Sequence, residues 1–84
     1  MAVRQPDETG RIVRNPQVLG GEPIIRGTRI PVRSVVLATR EYGGPHGVID
    51  AYPQLTSADV SEALAFYRAH TSEIDGLIRL NLDD

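Results

Sequence analysis

The chain has 84 residues, a mass of 9.2 kDa and a formal net charge of −2, and it contains no cysteine. This length allows one domain, and the lack of cysteine excludes a disulfide scaffold, a thiolate zinc site and cysteine catalysis. No apolar run approaches the roughly 20 residues of a transmembrane helix, and the first residues hold no signal-like apolar core. We therefore expect a cytoplasmic protein with no membrane partner, stabilised as a homodimer or in a tight hetero-complex.

The charges are divided between the two halves of the chain. All nine basic residues are arginine, and the net charge is +4 over residues 1–40 and −6 over residues 41–84. A guanidinium grips phosphate or carboxylate in two places and is desolvated more readily than an ammonium. One interpretation is a basic face for nucleic-acid phosphates and an acidic end for a basic partner. A second interpretation is that the opposite charges of the two halves neutralise each other within the fold or dimer. A third is that the arginines reflect a GC-rich genome.

The first 30 residues predict a short β-arm. Residues 1–10 are polar and indicate a flexible N-terminus. Short β-branched runs then alternate with breaks at Asn15-Pro16 and Gly20-Gly21, which is typical of strands and turns. Each strand is too short to stand alone, so we expect the strands to pair with each other or across a dimer.

The spacing of apolar residues changes to a helical period after Pro31. Pro31 is a good first helical residue, and Gly43-Gly44 stops the pattern, which predicts a helix over Pro31–Tyr42. A shorter helix is predicted over His46–Ala51, where Gly47 costs roughly 1 kcal/mol relative to alanine.

A third helix follows a tight turn. Pro53 pushes Tyr52 out of helical geometry, and Thr56 with Asp59 resembles a capping box, which predicts a helix over Ser57–Ala69. A short helix, a turn and a capped helix are the helix-turn-helix arrangement. The predicted fold is mainly α: a three-helix, homeodomain-like helix-turn-helix core preceded by a short β-hairpin, with residues 11–70 as the domain.

Residues 71–84 are predicted to be a partner-binding tail with a helical turn or two, interrupted by Gly76. Apolar side chains recur there at helical spacing, and nothing remains in the chain to cover them, so we expect a partner or the dimer mate to do so. A carboxylate at Asp75, Asp83 or Asp84 is the candidate to shield a partner's active surface. The candidate partner-binding residues are Ile74, Asp75, Leu77 and Ile78.

Two sequence blocks resemble a known family. The run NPQVLGGEPIIRGTRIPV, from Asn15 to Val32, closely resembles the signature NP.VLGG.P.I.GTRIPV of the domain of unknown function 433 family. The later block Tyr52–Leu64 resembles that family's YP.LT..DV..AL, and the similarity covers about Ile12 to Ile78. Many members have consecutive glutamates where this chain has His46-Gly47, which predicts a less rigid second helix.

The resemblance implies a small helix-turn-helix fold and a regulatory role. Many family members are encoded beside PIN-like ribonuclease toxins. This implies an antitoxin of a type II toxin–antitoxin pair, which binds operator DNA as a dimer and neutralises its toxin. The alternatives are a protein-interaction module without a DNA role and a stand-alone repressor.

The candidate DNA-binding residues come mainly from the arginines of the first half. Serines at the start of the third helix can reach phosphates or base edges, but the carboxylates of Asp59 and Glu62 repel phosphate. We therefore expect the arginines to supply most of the affinity. The candidates are Arg26, Arg29, Arg33, Arg40, Ser57 and Ser61. The alternative is that Arg26 and Arg29 hold acids such as Glu22 or Asp50 and organise the turn.

The sequence shows no pattern of an active site. No nucleophile with a base partner is recognisable, and His46 and His70 are isolated, without metal-ligand spacing. We expect no catalytic activity, no metal and no cofactor.

Overall fold

The computed structural model describes residues 10–82, in which four helices follow a two-stranded hairpin. Residues 1–9, Asp83 and Asp84 lie outside the described residues, and with them most of the predicted flexible N-terminus. The mainly α fold with a preceding hairpin is confirmed. The elements are β1 (Ile12–Arg14), β2 (Pro23–Ile25), α1 (Val32–Tyr42), α2 (Pro45–Ala51), α3 (Ser57–Ala69) and α4 (Thr71–Leu82).

The hairpin pairs β1 and β2 in antiparallel register, with Val13 opposite Ile24. A 3-10 turn over Leu19–Gly21 connects the strands, and Gly20 within it has a φ of 67°. Ile24 also forms a bridge with Pro31, which ties the arm to the start of α1. Pro31 is therefore the N-cap of α1 rather than its first helical residue, because its own backbone stays extended to make this bridge.

α1 is the central helix and packs against α2, α3, α4 and β2. Its buried side chains are Val32, Val35, Val36 and Ala38. The other elements each supply one or two apolar side chains to the same core: Ile12, Ile25, Val48, Val60, Ala63, Ile74 and Ile78.

α2 approaches the end of α1 closely because position 47 is glycine. A Cβ atom at Gly47 would overlap the Cβ of Tyr42 and would lie 2.9 Å from the carbonyl oxygen of Tyr42. The sequence predicted that Gly47 weakens this helix, and the structure shows that the packing requires it. Val48, the next residue, is completely buried, so tertiary contact supports a helix of low intrinsic propensity.

α3 begins with the predicted capping box. The Oγ1 atom of Thr56 accepts a hydrogen bond from the backbone N–H of Asp59 at 3.1 Å, and Oδ2 of Asp59 accepts one from the N–H of Thr56 at 2.9 Å. The predicted bounds of this helix are the observed ones.

α4 is one continuous helix of 12 residues, so the prediction of a turn or two interrupted by Gly76 is wrong. Ile74 is completely buried and Ile78 is 6% exposed, and both belong to the core shared with α1 and α3. The prediction that nothing in the chain covers this apolar stripe is therefore also wrong for these two residues. Their burial offsets the helix-breaking tendency of Gly76.

Candidate nucleic-acid interface

The exposed side of α3 carries small side chains and one arginine. Ser57, Ala58, Ser61, Ala65 and Arg68 are all exposed. The first amide N–H groups of a helix have no intrahelical acceptor and form the positive end of its dipole. The start of α3 therefore offers hydroxyl and amide donors on a surface without large side chains.

The two carboxylates of α3 are held by Arg11, the residue just before β1. Oδ1 of Asp59 lies 3.4 Å from Nη1 of Arg11, and the Asp59 side chain is only 14% exposed. Oε2 of Glu62 accepts a hydrogen bond from the backbone N–H of Arg11. The carboxylates that the sequence predicted to repel phosphate are thus engaged with the arm. Sequence reasoning missed the role of Arg11, since 48 residues separate it from Asp59.

Arg33 is held inside the molecule. Its Nε atom donates to both carboxylate oxygens of Glu22 at 2.8 and 3.0 Å. The Arg33 side chain is 18% exposed and the Glu22 side chain 7%. This pair fixes the end of the loop between the strands to α1. The alternative interpretation assigned Glu22 to Arg26 or Arg29, and the structure shows Arg33 as its partner.

Arg40 lies in a cluster that joins α1, α3 and α4. Its Nη2 atom donates to the hydroxyl of Tyr67 at 2.9 Å and lies 3.8 Å from Oδ1 of Asp75. The Tyr67 hydroxyl in turn donates to Oδ1 of Asp75 at 2.8 Å. Donation to this carboxylate raises the pKa of Tyr67, because loss of the proton would place two negative charges side by side. Asp75, predicted to contact a partner, is thus bound within its own chain.

A fourth ion pair connects β1 to α4. Both terminal nitrogens of Arg14 donate to the carboxylate of Glu73, the Nη2–Oε1 distance being 3.0 Å. These hydrogen bonds lower the pKa of Glu73. Like the Arg11–Asp59 and Arg40–Asp75 pairs, this one joins the basic first half to the acidic second half. Neutralisation of the first half by the second therefore accounts for three arginines, and Arg33 is paired with Glu22 within the first half.

Arg26 and Arg29 lie in the loop between β2 and α1, and both are exposed. Arg29 forms no ion pair with any residue between 10 and 82. Of the four candidate arginines, Arg33 is bound to Glu22 and its side chain is only 18% exposed, whereas the side chain of Arg40 contacts Tyr67 and Asp75 but is still 54% exposed. DNA contact by any of the six candidate residues stays a prediction.

The histidines do not form a site within the described part of the chain. The ring of His70 stacks on that of Phe66, with 3.9 Å between the centroids. No three His, Asp or Glu side chains between residues 10 and 82 come together as metal ligands. Over the same residues, no helix has the length and hydropathy needed to cross a membrane.

Comparison with known families gives one match over most of the chain. The sequence profile of the family described as "Protein of unknown function (DUF433)" matches residues 12–67. The chain belongs to the DUF433 family. A solved DUF433 member protein from Anabaena variabilis ATCC 29413 is 38% identical and superposes with a TM-score of 0.72. This match covers 83% of the present chain and 69% of the other.

A curated relative of this DUF433 chain is the uncharacterized protein y4eO of Sinorhizobium fredii, strain NBRC 101917 / NGR234. The two are 29% identical over 59 residues, which is 70% of the present chain. The aligned part is only 27% of the length of y4eO, so the present chain matches about a quarter of that protein.

The DUF433 signature residues mostly build the junction between the hairpin and α1. The Oγ1 atom of Thr28 donates to the carbonyl of Ile25 at 2.8 Å and accepts from the N–H of Ile30 at 3.0 Å. Gly27, before it, has a φ of 78°, which a residue with a side chain rarely adopts. Arg29 is the charged residue of this signature, and it has no such structural partner among the described residues. It is therefore the signature side chain most available for a ligand.

Proposed function

We propose that this DUF433 protein is a non-catalytic, DNA-binding antitoxin of a type II toxin–antitoxin pair. It acts in the cytoplasm as a dimer, places α3 on operator DNA and neutralises a PIN-like ribonuclease toxin. The observation that carries the DNA-binding part is the engagement of Asp59 and Glu62 by Arg11. Because Arg11 holds both carboxylates, the exposed side chains of α3 from Ser57 to Ala65 carry hydroxyl and methyl groups. The guanidinium of Arg11 offsets the charge of Asp59, whereas Glu62, held by a backbone N–H, keeps its charge.

The residues of this interface have complementary tasks. The hydroxyls of Ser57 and Ser61, with the amides at the start of α3, donate to phosphates or base edges. The small side chains of Ala58 and Ala65 let the helix approach a groove closely. Arg29 and Arg68 are exposed and without an ion pair to any described residue. They can therefore contact phosphate without breaking an ion pair between described residues.

The toxin-binding part of the proposal is supported by the family resemblance. No toxin-binding residues are assigned on α4, because Ile74 and Ile78 are buried in the core and Asp75 is bound to Tyr67. Leu77, the remaining candidate, is half-buried and packs against the same core.

A mobility-shift titration with DNA from upstream of the gene, at several salt concentrations, tests DNA binding. We expect Arg29→Ala to reduce the slope of log affinity against log salt by about 1, as for one lost phosphate contact. Ser61→Glu places a carboxylate on the exposed face and should abolish specific binding. Arg79→Ala is the matched control, since Arg79 is exposed on α4 without an ion pair to the described residues.

The absence of any complex at low salt would contradict DNA binding. Equal affinity and salt slope for wild type, Arg29→Ala and Ser61→Glu would contradict the assigned interface. Toxin neutralisation is tested separately, by co-expression with the product of the adjacent reading frame. If the adjacent gene product arrests growth and this protein does not relieve the arrest, the toxin-binding part is contradicted. The remaining function is then that of a stand-alone repressor.

The second candidate function is a protein-interaction module without a DNA role. It is favoured by the ion pairs of Arg11, Arg14 and Arg40 with acids of the second half, which give these arginines a structural task. A partner complex that forms while the chain shows no salt-dependent affinity for DNA would establish this alternative.

A further inference from the structure

A groove lies between α1 and α2, away from the elements of the DNA-binding proposal. Its volume is about 390 Å³, within the range of pockets that bind ligands. Tyr42, at the end of α1, lines the groove and is 56% exposed. A second recess, lined by Tyr42, Gly47, Asp50 and Ala51, shares Tyr42 and Ala51 with the groove. The groove itself is lined by Ser34, Leu37, Ala38, Glu41, Tyr42, Ala51 and Tyr52.

The carboxylates at this groove differ from the others that the structure describes. Five acids between residues 10 and 82 have a hydrogen bond or ion pair: Glu22, Asp59, Glu62, Glu73 and Asp75. The two that have none are Glu41 and Asp50, and both are exposed. Glu41 lines the groove and Asp50 the adjoining recess. The two unpaired carboxylates of the described residues therefore line two neighbouring depressions that share Tyr42 and Ala51.

We propose that this groove binds a cationic segment of a partner protein, in which an arginine or lysine adjoins an apolar side chain. The carboxylates of Glu41 and Asp50 are acceptors for a guanidinium or ammonium group. The rings of Tyr42 and Tyr52 provide faces on which a guanidinium stacks. Leu37 and Ala38 form the apolar part of the groove wall.

The charge of the groove selects among the classes of partner. Nucleic acid is disfavoured because unpaired carboxylates repel phosphate. A second copy of this chain is the less favoured occupant, because its formal net charge is −2. Its exposed Arg29, Arg68 and Arg79 are nevertheless without an ion pair to the described residues, so analytical ultracentrifugation tests this occupant directly. The occupant is therefore a basic segment of another protein. The inference does not rest on the proposed antitoxin function, and its experiment uses neither DNA nor toxin.

The experiment is a titration of the isotope-labelled full chain with a capped peptide of alternating arginine and leucine, followed by NMR. We expect amide shifts concentrated at Glu41, Tyr42, Ala51 and Tyr52, with a dissociation constant of about 1 mM or below. The double variant E41Q/D50N should weaken binding about tenfold, as for two surface ion pairs. Glu73→Gln is the matched control: it removes the same kind of charge outside the groove and should change affinity less than about twofold.

A second peptide, with glutamate in place of arginine, is titrated into the wild-type chain and should not bind. This arm keeps the proposal falsifiable even if the double variant folds poorly. No shifts at the groove, equal binding of both peptides, or unchanged affinity of folded E41Q/D50N would each overturn the proposal. Analytical ultracentrifugation of the free chain tests whether a second copy occupies the groove. Self-association that E41Q/D50N abolishes would assign the groove to a second copy and would overturn the proposal.

Discussion

The hydroxyl of Tyr67 donates a 2.8 Å hydrogen bond to Oδ1 of Asp75 and accepts one of 2.9 Å from Nη2 of Arg40. Tyr67 belongs to α3, Asp75 to α4 and Arg40 to α1. Three polar side chains thus join three helices at the surface of the core. Asp75 and Arg40, which the sequence suggested for two different ligands, are bound to each other through one tyrosine.

This arrangement predicts that Asp75→Asn lowers the pKa of Tyr67 toward the ordinary value for tyrosine. The carboxylate raises that pKa because it accepts a hydrogen bond from the protonated phenol and opposes the phenolate charge, whereas an amide carries no charge. Arg40 stays in place and favours the phenolate. A pH titration of the tyrosine ring resonances measures the change. Asp50→Asn, which removes an unpaired carboxylate, is the control, and an unaltered Tyr67 titration in Asp75→Asn would contradict the assignment.

The burial of α4 predicts that Ile74→Ala destabilises the fold by about 2–4 kcal/mol, through lost apolar burial and the cavity left behind. Ile74 is completely buried among side chains of the common core. Leu80→Ala on the same helix is the control, because Leu80 is 70% exposed and its truncation should cost less than about 0.5 kcal/mol. Urea denaturation followed by circular dichroism gives both values. Equal, small effects would mean that α4 is not part of the cooperative core.

The Arg14–Glu73 pair predicts a pH-dependent contribution to stability. Its hydrogen bonds lower the pKa of Glu73 in the folded chain, so the folded state favours the ionised carboxylate. This contribution is present above the pKa of an unfolded glutamate and is lost as the pH falls through the lowered value. At neutral pH, Glu73→Gln should cost no more than about 1 kcal/mol, since the pair is partly exposed and screened.

The free energy of unfolding of wild type and Glu73→Gln, measured from neutral into acidic pH, tests this prediction. The two curves should converge in acid, where the wild-type carboxylate is protonated. Arg79→Gln serves as the control for a lost surface charge and should leave the acid dependence unchanged. A difference between wild type and Glu73→Gln that persists or grows in acid would contradict it.

Local signals explain which elements were predictable. The capping box of Thr56 and Asp59 involves residues three positions apart, so the start of α3 is readable from the sequence. Gly43 and Gly44 adopt positive φ values at the turn after α1, which their residue type already indicated. The signature around Gly27 and Thr28 likewise closes a turn within six residues, and it identified the family correctly.

The candidate site was less predictable, because the sequence shows which residues are charged but not which of them form ion pairs in the fold. Arg33 and Arg40 matched the pattern of phosphate-binding arginines, yet Glu22 and Asp75 occupy them. The engagement of Glu62 by the backbone of Arg11 spans 51 positions in the chain. A contact of this kind arises only when the arm folds against α3.

The amino-acid sequence alone determined the order of the first three helices, the capping box of α3, the glycine turn after α1, and the family, because these depend on residues close together in the chain. Tertiary structure decided that α4 is continuous, that Ile74 and Ile78 belong to the core, and which carboxylates remain free. The reason is physical: burial and ion pairing depend on which surfaces meet in space. Glu41 and Asp50 remain free because no side chain of the described fold forms a hydrogen bond or an ion pair with them.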